Sequence, residues 1–133
     1  ERLCQRVLRE SGFIEVEVTG RSGDGGIDGS GILKIGLLSF HVFFQCKRYS
    51  DAVSSPKIRD FRGASIGRGD KGLFITTGRY TSDARKEATR DGAPPIDLID
   101  GLELCELLRE LRLGVSTKMV PRIELDSDFF QNF

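Results

Sequence analysis

A run rich in Phe and Val, Phe40-His41-Val42-Phe43-Phe44, closes on Gln45-Cys46-Lys47-Arg48, and this passage limits the chain's possible folds more than any other. Aromatic and β-branched residues in succession mark a strand. Side chains of a strand alternate between faces, so Gln45 and Lys47, two apart, share one face while Cys46 takes the other. An ammonium group set beside buried aromatics is costly unless something negative accompanies it. Asp28, in a glycine-rich stretch upstream, meets that need if it sits beside Lys47 together with a divalent cation and a phosphate.

Other elements follow from periodicity and punctuation. Leu3, Cys4, Val7 and Leu8 recur at helical spacing and Ser11-Gly12 supplies a stop, which predicts a first helix. Ile14, Val16 and Val18 alternate with Glu15, Glu17 and Thr19, the pattern of a strand with one buried face. Gly20, Gly23, Gly25, Gly26, Gly29 and Gly31 then bracket Asp24 and Asp28 in a loop of tight turns or close backbone approach. Residues 32–35 and 39–49 read as a hairpin turning near Gly36. Ser55-Pro56 opens a helix carrying Ile58, Phe61, Arg62, Ala64 and Ser65, which stops at Gly67 and Gly69. Residues 73–77 form an apolar strand, and Ser82 starts a helix through Ala84 and Ala88 to Gly92. Pro94-Pro95 forces extended chain into a strand over 96–99, and a last helix spans 101–112. Val120, Ile123 and Leu125 suggest an added edge strand. Strands in a meander followed by strands alternating with helices predict an α/β fold, a mixed central sheet flanked by helices on both faces.

Length and charge narrow the function. The 133 residues make one domain, 1–133, large enough to bury a core. Twenty basic and 20 acidic residues give a net charge of zero, which argues against gripping nucleic acid by bulk charge but leaves room for a local basic face. Three cysteines, Cys4, Cys46 and Cys105, lie in apolar segments without paired spacing and read as reduced, intracellular core residues. No apolar stretch has membrane-spanning length and no signal-peptide pattern is present, so a cytoplasmic protein without a membrane partner is expected. Glu1 stands directly in a helical pattern, so the chain is expected to be cut from a longer protein.

The αβββαβ order, with Asp28 at the second strand and Gln45-x-Lys47 at the end of the third, resembles the PD-(D/E)xK nuclease superfamily, and more closely the Mrr-type restriction endonuclease domain. The resemblance rests on Ser22-Gly23-Asp24-Gly25-Gly26-Ile27-Asp28-Gly29 and Gln45-Cys46-Lys47-Arg48, supported by Gly72-Leu73-Phe74-Ile75-Thr76-Thr77-Gly78. It implies a restriction-endonuclease-like core, a catalytic trio of Asp28, Gln45 and Lys47, and a Mg²⁺ site, with Mn²⁺ as a substitute. Its ligands would be Asp28, Gln45, the Cys46 carbonyl and an acidic residue of the first helix, for which Glu1 is the candidate ahead of Glu10. It also implies double-stranded DNA as substrate, a homodimer or higher oligomer on that DNA, and a separate recognition domain in the longer chain. The pattern departs at Gln45, where a carboxylate is commoner. An amide oxygen still ligates a hard cation but brings no charge.

Each of these residues also has a plainer reading. Asp28 suits a turn, and Lys47 suits the exposed end of an edge strand. The glycine stretch fits neither a nucleotide-binding loop, lacking Gly-Lys-Ser/Thr, nor an EF-hand, lacking the Asp/Asn series and terminal Glu. Asp24 reads as a turn residue and His41 as structural. Arg48, Lys57, Arg59 and Arg62, followed by Arg68, are candidates for DNA-phosphate contact or a solvated face balanced by Asp51 and Asp60. Thr76, Thr77 and Ser82 lie where backbone amides at a helix start could meet a phosphate. Two further functions stay open: a structure-selective nuclease of the junction-resolving kind, and a catalytically silent nucleic-acid-binding module.

Overall fold

The computed structural model describes residues 2–18, 28–67 and 69–132. In chain order these form α1 (Arg2–Glu10), β1 (Phe13–Val18), β2 (Gly29–Ile35), β3 (Leu38–Lys47), β4 (Ala52–Val53), α2 (Ser55–Ser65), β5 (Lys71–Thr76), β6 (Arg79–Tyr80), α3 (Ser82–Ala88), β7 (Ile96–Ile99), α4 (Gly101–Leu111) and α5 (Ser127–Gln131). Five strands make the main sheet in the order β1-β2-β3-β5-β7. The first three pair antiparallel and the last three parallel. The change of direction follows from the connections. A two-residue turn with Gly36 at φ 59° reverses β2 into β3, whereas α2 and α3 carry the chain back over the sheet between parallel neighbours. The mixed, two-sided sheet is the one the sequence predicts.

β3 lies at the centre, and its alternation serves two cores. Val42 and Phe44 pack with Cys4, Val7, Leu8, Val16, Leu73, Ile75 and Leu104 beneath α1 and α4. Phe43 faces the other way, against the cluster of Val53, Ile58, Phe61, Phe74, Tyr80, Ala84, Ala88 and Ile96 beneath α2 and α3. The central strand must therefore be apolar on both sides until its last residues.

Three local expectations need correction. Ile14 does not share the buried face of Val16: it is 45% exposed, because the pairing of β1 with β2 slips between Ile14 and Glu17, and Glu15 takes φ 52°. This bulge inserts one residue and turns Phe13, not Ile14, toward the core. Secondly, β2 begins at Gly29, three residues earlier than the alternation of its side chains suggests. Thirdly, Val120, Ile123 and Leu125 add no strand; they are exposed in a segment without regular structure before α5. The short parallel pair β4–β6 has no counterpart in the sequence pattern.

Candidate active site

Asp28 and the end of β3 meet because Gly29 has no side chain. A Cβ at Gly29 would overlap the carbonyl oxygen of Glu17 and the ring of Phe44. With only hydrogen there, β1, β2 and β3 close on one another, and Gly29 stands opposite Phe44 in the ladder. Continued by one residue, that register sets Asp28 across from Gln45. The Asp28 N–H donates to the Phe44 carbonyl at 3.0 Å, and its carboxylate accepts the Cys46 N–H at 2.6 Å. Asp28 and Cys46, 18 positions apart in sequence, are thus brought together at the end of β3.

Gln45 is 7% exposed and pairs in the parallel ladder with Phe74. Among the described residues no buried side-chain nitrogen or oxygen lacks a partner. The Cys46 side chain turns to the opposite face, where Cys4 of α1 lies. The hydrogen bond with the Cys4 thiol pushes the Cys46 thiol up from its ordinary range, and burial and the neighbouring Cys4 and Asp28 charges add to it. Cys46 is therefore a neutral core thiol and offers the site nothing but its main chain.

Lys47, the last residue of β3, is half-buried beside Thr76 of β5. Its Nζ lies 5.8 Å from the centroid of the Tyr49 ring. With Arg48, Thr76 and Thr77 it borders a cleft of about 340 Å³ that Leu3, Cys4, Cys46, Ile75 and Leu104 complete. The main chain around Lys47 is held by the turn after β5. Thr77 donates its N–H to the Lys47 carbonyl at 3.1 Å. Its hydroxyl accepts the Tyr49 N–H at 2.9 Å and donates to the Tyr49 carbonyl at 2.8 Å. Sequence reasoning took Thr77 only as a possible phosphate contact and did not anticipate its bonds to Tyr49. The available signal was their position, each just past the end of adjacent strands.

The remaining sequence candidates divide. Arg48, Lys57 and Arg59 are exposed, Arg59 donating to Ser55 Oγ at 3.3 Å. Arg62 is not available to DNA, and its assignment as a phosphate contact is corrected here. Its side chain is 6% exposed and ion-paired with Glu87 at 2.7 Å, it donates to the Pro94 carbonyl at 3.0 Å, and a further bond goes to the Glu87 carbonyl. The suggested balancing partner Asp51 pairs instead with Arg79. Thr76 accepts the Gly78 N–H, Thr77 is committed to Tyr49, and α3 is capped by Thr81 rather than by a ligand. Glu10 lies at the far end of α1, bound to Arg6 at 3.1 Å. Glu1, Asp24 and Arg68 fall outside the described residues.

Donor chemistry tests whether a metal ion fits. No group of three or more His, Cys, Asp or Glu gathers among the described residues. Of the residues the sequence singles out, Asp28 brings a carboxylate and Gln45 an amide oxygen, while the nearby Cys46 thiol is neutral and turned away. An all-oxygen set of low charge suits a hard cation such as Mg²⁺ or Mn²⁺ and not Zn²⁺. No helix among the described residues is long and apolar enough to cross a membrane.

Comparison with known proteins agrees with this geometry. Residues 1–108 match the model of the family Mrr_cat, described as restriction endonuclease. The chain is 38% identical over 119 residues to the type IV methyl-directed restriction enzyme EcoKMrr of Escherichia coli K12, covering 88% of this chain and 38% of that one. Among solved structures it superposes on the DNA modification-dependent restriction endonuclease AspBHI with a TM-score of 0.69 and 25% identity, covering 84% of this chain and 30% of the other. It superposes on the MspJI restriction endonuclease, solved in complex with a 27-mer oligonucleotide, with a TM-score of 0.64 and 30% identity over 81% of this chain and 26% of the other. The chain thus spans well under half the length of each of these relatives.

Proposed function

Since the chain belongs to the Mrr_cat restriction endonuclease family, we propose that it is a metal-dependent cleavage domain that hydrolyses phosphodiester bonds of double-stranded DNA at Asp28, Gln45 and Lys47. The observation that supports this reading is the bond from the Cys46 N–H to the Asp28 carboxylate, which brings Asp28 to the end of β3 that also carries Gln45 and Lys47.

Asp28 is the anionic ligand in this reading. Its carboxylate is already oriented by the Cys46 N–H at the end of β3. Gln45 supplies a neutral oxygen and Cys46 its carbonyl, so the affinity of the site leans on Asp28 and on a further carboxylate, for which Glu1 stands as the candidate. A bound Mg²⁺, or Mn²⁺ in its place, supplies positive charge to the phosphoryl oxygens and lowers the pKa of an attacking water. Lys47 places its ammonium against the charge that accumulates on the phosphoryl group as the water attacks. Arg48, Lys57 and Arg59 offer contacts to the phosphates flanking the cut.

Each chain brings one such site, so cutting both strands calls for two copies on DNA. The lengths of the relatives leave room for a recognition domain elsewhere in a longer chain, and modification dependence, cytoplasmic location and restriction of foreign DNA belong to that whole protein. The test is cleavage of methylated and unmethylated plasmid with Mg²⁺ or EDTA, beside Asp28→Ala and Lys47→Ala. The expected result is metal-dependent cutting reduced by about 10²-fold or more in both variants, whose folding is unchanged. Intact plasmid throughout, with DNA bound by folded protein, would instead make this a binding module.

A further inference from the structure

We propose that Tyr49 and Thr77 form a clamp that positions the Lys47 ammonium, an inference that rests on the nuclease reading of the site. Lysine is the least self-organising of the three site residues, because its four-carbon stem carries much rotamer entropy and its head is a point charge without preferred direction. A reacting centre tolerates little misplacement of such a charge. The structure answers both problems with residues outside the trio.

The first part is main-chain fixation. Thr77 bonds the Lys47 carbonyl through its N–H, and both the N–H and the carbonyl of Tyr49 through its hydroxyl, so one residue pins the chain on both sides of Arg48. Gly78 permits this approach: a Cβ there would overlap the Asp51 carbonyl and press on that of Tyr49. Beyond it the pairing Ala52↔Arg79 and Val53↔Tyr80 and the ion pair of Arg79 with Asp51 at 3.4 Å extend the same seam. The segment leaving β3 is thereby fastened to the segment leaving β5.

The second part is the ring. Fixing Tyr49 sets its aromatic face within 5.8 Å of Lys47 Nζ, inside the range of a cation–π contact. A carboxylate in that place would hold the ammonium more tightly but would neutralise it. The ring's quadrupole attracts the cation and adds no net charge, so the full positive charge stays available to a phosphoryl group. Tyr49 and Thr77 are positioning residues in this account, acting on the reaction through Lys47.

The test compares single-turnover plasmid cleavage with Mg²⁺ and, separately, DNA half-saturation, for the full chain, Lys47→Ala, Tyr49→Leu and Tyr49→Phe, with Thr77→Val and Thr77→Ser as a second pair. Tyr49→Leu and Thr77→Val are expected to lower the rate roughly tenfold with half-saturation shifted less than about twofold, and Tyr49→Phe and Thr77→Ser to recover most of the rate. Equal losses in Tyr49→Leu and Tyr49→Phe, or losses confined to half-saturation, would overturn the clamp. Should Tyr49→Leu not fold, the Thr77 pair decides by the same criterion. A chain that cuts, depends on Lys47, and tolerates Tyr49→Leu within twofold refutes the clamp alone. A chain that does not cut refutes the nuclease reading beneath it, and one that cuts equally well as Lys47→Ala removes Lys47 from the chemistry and the clamp with it.

Discussion

The two faces of the sheet are built differently. Under α2 and α3, Ile58, Phe61, Phe74 and Ala84 are fully buried, Phe74 meets both Phe61 and Tyr80 edge-on, and the Arg62–Glu87 ion pair closes the layer. The Tyr80 hydroxyl reaches the carbonyls of Phe74 and Ile99, and burial pushes its pKa up. Under α1 and α4 the packing is looser. Leu107, Leu108 and Leu111 are only half-buried, and clefts of about 340 and 470 Å³ open beside the site and between the sheet and α4. The looser face opens its cleft beside the ends of β3 and β5, whereas the Gln45 side chain lies on the face of Phe43 and Phe74; Lys47, at the strand end, borders both. A site that needs sub-ångström placement and also access benefits from that division.

Substitutions on the closed face should cost stability and those at the strand ends should cost chemistry. Phe61→Ala removes a fully buried ring in edge contact with Phe74, and about 4 kcal/mol of unfolding free energy should be lost in urea titration. Arg62→Ala leaves the nearly buried Glu87 with only the more distant, exposed Arg90 at 3.8 Å, and a loss of about 3 kcal/mol is expected. Replacing both members by Met tests the assignment further. The double variant should be more stable than either single one, because no uncompensated charge remains. If Arg62→Ala instead keeps full stability and weakens DNA binding, the division of labour between the faces is wrong.

The site and the fold were legible in the sequence to different depths. Gln45 and Lys47 were readable because a polar pair at the end of an apolar strand breaks the strand's own logic, and Asp28 because its glycine neighbours need a reason. Arg62 was misjudged by treating basic residues as a surface class. Its i+4 spacing from Ile58 already placed it on the apolar stripe of α2, where an arginine must be paired. Ile14 was misjudged because a bulge at a non-glycine residue leaves no mark in an alternating pattern. The pairing of Tyr49 with Thr77 was hidden for another reason. Their bonds join residues 28 apart through the parallel neighbours β3 and β5, and single-sequence periodicity carries no information on which strands become neighbours.

The correction at Arg62 leaves α2 with two exposed cations, Lys57 and Arg59, and they supply the smallest effect and the closest control. Arg62 and Arg59 sit on one helix and carry one charge each, yet only one faces solvent. Lys57→Glu and Arg59→Glu should change unfolding free energy by less than about 0.5 kcal/mol. If each touches a phosphate, each should reduce the dependence of log binding constant on log salt by roughly one, measured by fluorescence anisotropy over a salt series. A slope that stays put in both variants would remove α2 from the DNA interface and confine the contact to the strand ends around Arg48. A slope that falls would show that the closed face, while sealed inside, still presents charge to the duplex along its outer surface.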